Sequence, residues 1–492
     1  MESLRSSFGA ARFAIFVLAM LACLAAPGSA FAVDIDGIQP FAFDQPQVNG
    51  VLLPAGSGVP YTGQDIFDNP TFTIQAFLDT GSSGVIIDSR MRPLFNIPVQ
   101  AGVTFSDVAI GGNTDFSVTP NVDLRIAPST AVDLDRAASM TTVYNQLTPS
   151  IRVQVGPTNI SPDPDSDPLN IIGMPAMLGK TVVLDPKPLN SPDILNFDFM
   201  HTFIYNQNTP FNPATANTNP GIPSTSHHVA LSYGDFSRFT QTTPTGAAGP
   251  TLGHNPFIGP NPANASAPNP VPDNTPPVAL DFGGIHVTGS FLLDTGAVTS
   301  FISSNLAANL HVRYQGNSLG TDQPVLELFD PAHPELPGTT LGTQFTLPIQ
   351  GIGGAPVLAG FYLDDLVLHT VEGGLNDLDP NNIRYLHAPV MVNDLELVDP
   401  NTGKLITLDG VFGMNAMVAS ALLTSDGNIG ETAFGPYNWV TIDEPNSLLG
   451  LDLGTQVPEP GSIVLGSFGF LLVGLHVWRK RVRGKTRLAV NA

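Results

Sequence analysis

Two short stretches of this chain repeat one pattern. The first runs Phe77-Leu78-Asp79-Thr80-Gly81-Ser82-Ser83-Gly84-Val85-Ile86-Ile87, and the second Leu292-Leu293-Asp294-Thr295-Gly296-Ala297-Val298-Thr299-Ser300-Phe301-Ile302. Each is followed by an apolar pair leading into a Gly-Met motif. After the first comes Ile171-Ile172-Gly173-Met174-Pro175-Ala176-Met177, and after the second Val411-Phe412-Gly413-Met414-Asn415-Ala416-Met417. The aspartate-to-glycine offsets are 94 and 119 residues. One Asp-Thr-Gly is weak evidence, since composition alone yields on the order of a few tenths of a copy per chain. Two copies with apolar leaders, and with the same sequel in the same order, describe a duplicated unit. The 492 residues are therefore expected to fold as two similar halves.

Composition supports strands as the material of those halves. The chain has 48 Gly and 46 Pro with only 12% charged residues, which disfavours long surface helices. Alternating segments such as Thr71-Phe72-Thr73-Ile74-Gln75-Ala76-Phe77 and Gly289-Ser290-Phe291-Leu292 read as strands bounded by turn residues. A hydrophobic content of 42% suffices for a sizeable core. From Thr240 to Pro277 the chain turns into Pro, Asn, Ala, Gly and Thr, with 10 prolines from Pro244 onward, and reads as a linker. The expected organisation is an N-terminal β lobe over 33–240, a linker over 241–277 and a C-terminal β lobe over 278–456. Ser161 to Pro168 reads as a polar loop inside the first lobe.

The two ends read as addresses. Arg5 and Arg12, the apolar run Phe13 to Ala26, and Ala30-Phe31-Ala32 have the order of a secretory signal peptide over 1–32. Its Cys23 is the only cysteine, so the exported chain is expected to be stable without disulfides and to use no thiol chemistry. At the other end, Val457-Pro458-Glu459-Pro460-Gly461-Ser462 precedes an apolar run from Ile463 to Trp478, closed by Arg479-Lys480-Arg481-Val482-Arg483. A plain membrane anchor is one reading, with the basic cluster inside. The ordered triplet, short span and Arg cluster over 457–492 closely resemble the PEP-CTERM sorting signal of Gram-negative bacteria. That resemblance implies transient membrane insertion through 463–478, recognition by an exosortase-type enzyme, removal of the tail, and release to the cell surface or extracellular matrix. Between 33 and 478 there are 11 basic against 41 acidic residues, a body that repels phosphate backbones and argues against nucleic acid as a partner.

The paired motifs resemble the pepsin-like aspartic proteases, with a second motif, DTGA, closer to the retropepsin type. The resemblance spans most of 60–453, though only the motif regions match residue by residue; Trp439 to Asp443 and Leu448 to Leu451 also resemble the family's closing strands. It implies an all-β, bilobal fold with the active site between two similar lobes, and hydrolysis of a protein or peptide substrate. Peptide hydrolysis without metal or covalent nucleophile needs an activated water and a proton donor, which two carboxyls about 3 Å apart supply by sharing one proton. Asp79 and Asp294 are the expected dyad, with no metal and no cofactor. Gly81 and Gly296 are expected to let the loops turn tightly. By family resemblance, the Thr80 and Thr295 hydroxyls cross-link the loops. Gly173 and Gly413 are expected to pack beneath the loops and keep them rigid.

Ser82 can donate to the outer oxygen of Asp79, whereas Ala297 at the matching place cannot. The proton is therefore expected more on Asp294, the optimum in mild acid, and Ala297→Ser is expected to shift it downward. The family's flap tyrosine has no counterpart between Asp79 and Val143. Tyr144 lies in a plausible region without a flap sequence, so no flap residue is assigned. A basic inhibitory pro-segment has no room either, since no Lys or Arg falls between Val33 and Arg90. The rival reading is a catalytically inactive surface or matrix binding protein on the same fold. Asp163 to Asp167 starts like a calcium loop but lacks its Gly and closing Glu, and His227-His228 lacks further ligands at metal spacing.

Overall fold

The computed structural model describes residues 33–64, 69–109, 112–157, 169–190, 199–234, 248–263, 273–349, 356–398, 405–423 and 429–454. The expected signal peptide, the C-terminal sorting segment with its apolar run, and the polar loop at 161–168 lie outside these residues. Among the described residues no helix is long and apolar enough to cross a membrane.

Strand accounts for 44% of the structure and helix for 9%, so the predominantly β expectation holds. Two large sheets carry the repeated motifs. In the first, Ile74–Leu78 runs parallel to Ile171–Ile172, which is antiparallel to Val85–Asp88, itself parallel to Gln154–Gly156. Gly112–Val118 and Thr104–Ala109 then continue antiparallel. In the second, Phe291–Leu293 runs parallel to Gly410–Phe412, which is antiparallel to Phe301–Ile302, itself parallel to Pro389–Val392. Val357–Tyr362 and Gln344–Pro348 then continue antiparallel. The succession of partners and their senses are the same in both sheets. The duplication seen in two short motifs thus extends through strands that share no visible sequence pattern.

The halves are stitched together by exchanged strands. Lys180–Asp185 pairs antiparallel with Tyr437–Asp443, which pairs with Leu448–Leu453, so one five-stranded sheet draws on both halves. Val33–Asp36 runs parallel to Ile383–Leu386, in an outer sheet of the second half. Phe41–Ala42 pairs with Ser420–Leu423. One apolar cluster is continuous from Leu78, Val85 and Ile172 to Leu293, Ile302 and Phe412. Each such buried side chain contributes about 1.5–3 kcal/mol over its exposed state, so the two halves share a core as well as hydrogen bonds.

Two expected boundaries need correction. The first lobe was to begin at 33, yet Val33–Asp36 and Phe41–Ala42 belong to the second half's sheets. The linker was to run 241–277, yet Asn255–Ile258 is a fully buried strand pairing with Phe291–Leu293, beside Ser232–Gly234. Phe257 and Ile258 supply the burial, and the surrounding prolines hide them in any average over the segment.

Candidate active site

Strand Ile74–Leu78 buries Ile74, Ala76 and Leu78 on one face and delivers Asp79 at its end. Phe291–Leu293 is buried throughout and delivers Asp294. The backbone N–H of Asp79 donates to Ile172 O at 3.1 Å, and that of Asp294 donates to Phe412 O at 3.1 Å. Both loops thus hang from the strands of the Gly-Met motifs. Met174 N then donates to Ser82 O (3.0 Å), and Met414 N to Ala297 O (2.8 Å).

Gly173 and Gly413 lie against these loops as expected. A Cβ on Gly173 would stand 2.1 Å from Gly84 O, and one on Gly413 2.3 Å from Thr299 O. Any side chain there would push the Asp-Thr-Gly loop away.

The two loops clasp each other through their threonines. Thr80 Oγ1 donates to Leu293 O and Thr295 Oγ1 to Leu78 O, both at 2.6 Å. In return, Thr80 N donates to Thr295 Oγ1 at 3.1 Å, and Thr295 N to Thr80 Oγ1 at 3.0 Å. Both threonines are buried, so these four bonds form away from competing water.

Gly81 and Gly296 matter for space, not for turning. Neither has a positive φ. A Cβ on Gly81 would lie 2.4 Å from the carboxyl carbon of Asp294, and one on Gly296 2.4 Å from that of Asp79. Each glycine is the flat surface against which the opposite carboxyl rests.

The two carboxyls face each other across the clasp, each against the glycine of the opposite loop. Asp79 Oδ1 accepts from Gly81 N at 2.7 Å and Ser82 N at 3.1 Å, while Asp294 Oδ1 accepts from Gly296 N at 2.8 Å. Burial raises both pKa values above the ordinary carboxyl value. The charge of each carboxyl acts on the other as well, so the two titrate as one coupled pair.

The expected hydroxyl bond to Asp79 is not made. Ser82 Oγ donates to Gly84 O at 3.0 Å, and the bond to Asp79 comes from the Ser82 backbone N–H. The carbonyl two residues on competes successfully for the hydroxyl. Ala297 N donates to the backbone carbonyl of Asp294 at 3.3 Å.

Two supporting residues escaped sequence reasoning. Asn255 Nδ2 donates to Thr80 O at 2.8 Å, while its Oδ1 accepts from Ser83 Oγ at 2.6 Å. Gln45 Nε2 donates to Gly296 O. The short apolar run Pro256-Phe257-Ile258 inside the presumed linker was the available signal for Asn255; Gln45 carries none. Tyr144 is fully buried, packs on Phe72 and bonds Thr73 Oγ1 at 2.7 Å, which makes it a core residue. His228 pairs with Glu372 at 2.6 Å.

Comparison with known proteins adds no relative: no family model matches the chain, and no curated protein matches it.

Proposed function

We propose that this chain is an aspartic endopeptidase of bilobal, pepsin-like architecture, with Asp79 and Asp294 as its catalytic dyad. The observation that carries this reading is the pair of clasped Asp-Thr-Gly loops, which set each carboxyl against the glycine of the opposite loop. A turn that served only the fold would have no use for two half-buried carboxyls set against each other, since like charges this close disfavour each other's ionisation.

In the proposed cycle, ionised Asp79 takes a proton from a water molecule lying between the carboxyls and the peptide carbonyl. The water oxygen bonds to the carbonyl carbon while Asp294 gives its proton to the carbonyl oxygen, forming a neutral tetrahedral diol. Asp79 then passes its proton to the amide nitrogen, the C–N bond breaks, and a diol hydroxyl returns its proton to Asp294. Water is consumed, a carboxylic acid and an amine leave, and the dyad ends as it began. In the same reading, the chain acts at the cell surface or in the extracellular matrix after an exosortase-type enzyme has processed residues 457–492; the support for that part is the sequence pattern alone.

The decisive measurement is peptide-library hydrolysis between about pH 3 and 7. Asp79→Asn and Asp294→Asn are each expected to lower kcat/KM at least about a hundredfold, the usual scale of a general acid–base group, with the folded circular-dichroism spectrum retained. Activity above that level in either folded variant, or none in the wild type, would leave the binding-protein reading in possession.

A further inference from the structure

The outer sheet of the second half carries a side-chain group that dyad chemistry does not use. Asp281 and His286 face each other on the paired strands Val278–Phe282 and Ile285–Gly289. Asp377 reaches them from the loop after Asp365–Leu368. His286 Nδ1 lies 3.2 Å from Asp281 Oδ1 and 3.7 Å from Asp377 Oδ2, and all three ligand atoms are within 4.8 Å of one another. Two atoms bound tetrahedrally to zinc at about 2.1 Å stand about 3.4 Å apart, and the two His286 distances bracket that value.

Asp377 is also held from behind. Its Oδ1 lies 2.7 Å from Nε2 of His369, whose Nδ1 lies 2.7 Å from Pro277 O. A carbonyl can only accept, so Nδ1 is a donor there and the ring plane is set. His369 is 4% exposed, which leaves it no other orientation, and it turns Asp377 Oδ2 toward His286. Outer partners of this kind commonly orient metal-binding carboxylates and imidazoles.

Charge points the same way. Two carboxylates converge on one imidazole in a chain of net charge −23. Asp365, the cross-strand neighbour of Asp281, is engaged at 2.9 Å by Arg384, which also approaches Asp34 at 3.4 Å. Arg384 is thus taken up by Asp365 and Asp34, and Asp281 and Asp377 share the His286 imidazole.

We propose that Asp281, His286 and Asp377 bind one divalent transition-metal ion of the zinc type, with His369 as a positioning residue and water completing the shell. The mixed nitrogen and oxygen donors favour such an ion over calcium, which takes oxygen alone. The three side chains are 31%, 50% and 30% exposed, so the ion has an open path. Bound there, it ties the 278–289 hairpin to the loop after Leu368 and, through His369, to Pro277. Such a cross-link suits a chain whose one cysteine lies in the expected signal peptide.

The test uses the untagged full chain, stripped by a chelator, dialysed against zinc chloride, and assayed for metal content and melting temperature. One zinc per chain and a raised melting temperature are expected. His286→Ala, at an exposed position the fold tolerates, and Asp377→Asn should abolish both effects, and His369→Gln should weaken affinity about tenfold or more. Asp79→Asn should bind zinc as the wild type does, which keeps this outcome independent of the protease reading. Absence of bound zinc, retention of it in His286→Ala, or its loss only on His228→Ala would overturn the proposal.

Discussion

Around Asp79 the outer bracing comes from a strand of the second half, where Asn255 holds Thr80 O and Ser83 Oγ together. Around Asp294 it comes from the residues just before Gln47–Pro54, a strand of the first sheet, where Gln45 reaches Gly296 O. Asn255 is 2% exposed, while Gln45 is only half-buried. At the centre the two loops are alike, with threonine bonds of 2.6 Å on both sides and return bonds of 3.1 and 3.0 Å. The symmetric part fixes how the carboxyls face each other, and the exchanged part makes each loop depend on the opposite half. Duplication accounts for the first feature; the second ties the two copies to each other.

The hardest test of the central symmetry is to remove each threonine hydroxyl. Thr80→Val and Thr295→Val keep the shape but each strip a buried carbonyl and a buried N–H of their partner. Leaving such groups unpaired costs about 1–3 kcal/mol each, so each variant should lose roughly 2–6 kcal/mol in denaturant unfolding. The Ser variants should recover most of it. Equal losses uphold the symmetry; a gap above about 1 kcal/mol, the scale of one hydrogen bond, would show that one loop carries more of the clasp.

A pH effect should sharpen the asymmetric part. Asp44, next to Gln45, is buried and accepts from Met200 N and Gln45 N, both at 2.8 Å. Burial outweighs those bonds and raises its pKa to about 6. A carboxyl raised in the folded state contributes stability that is fully present below the unfolded value near 3.8 and lost as pH rises through about 6. Asp44→Asn should therefore gain about 2–3 kcal/mol over the wild type between pH 4 and 7, following the linkage relation. Unfolding curves for both proteins across that range check it, and parallel curves would remove Asp44 as the source.

What was legible in the sequence follows from the range of the constraint. The Asp-Thr-Gly loops and Gly173 and Gly413 are short segments where sterics leave few residue choices, as the 2.1–2.4 Å clashes of added Cβ atoms show. Strand content was legible from local alternation. The exchanged strands were not, because Val33–Asp36 finds its partner at Ile383–Leu386 through backbone bonds that any sequence can make. Gln45 was illegible for the same reason, its acceptor being 251 residues away. Asn255 was obscured by ten neighbouring prolines that set the average of the segment. The likeness of Ser82 to an outer carboxylate donor failed because a hydroxyl chooses between acceptors that only the folded backbone brings near.

That last point sets the smallest expected effect. Read from sequence, Ala297→Ser adds a hydroxyl donor to Asp294 and shifts the acid side of the activity profile downward. In the folded loop, however, Ser82 Oγ is directed to Gly84 O, and the carboxyl of Asp79 is served by backbone N–H groups alone. Asp294 already receives the matching backbone N–H from Gly296, and Ala297 N donates to the Asp294 backbone carbonyl. A serine at 297 has a carbonyl in the equivalent place, at Thr299, which the Gly413 backbone also approaches. Its hydroxyl is therefore expected to turn away from the dyad, as that of Ser82 does. The pH–rate profile of Ala297→Ser should overlay that of the wild type within about 0.3 pH unit, well under the effect of a hydrogen bond made to a carboxylate. A downward shift of half a unit or more would mean that the second loop offers its hydroxyl to Asp294, and the two loops would then differ at the dyad itself and not only in what braces them.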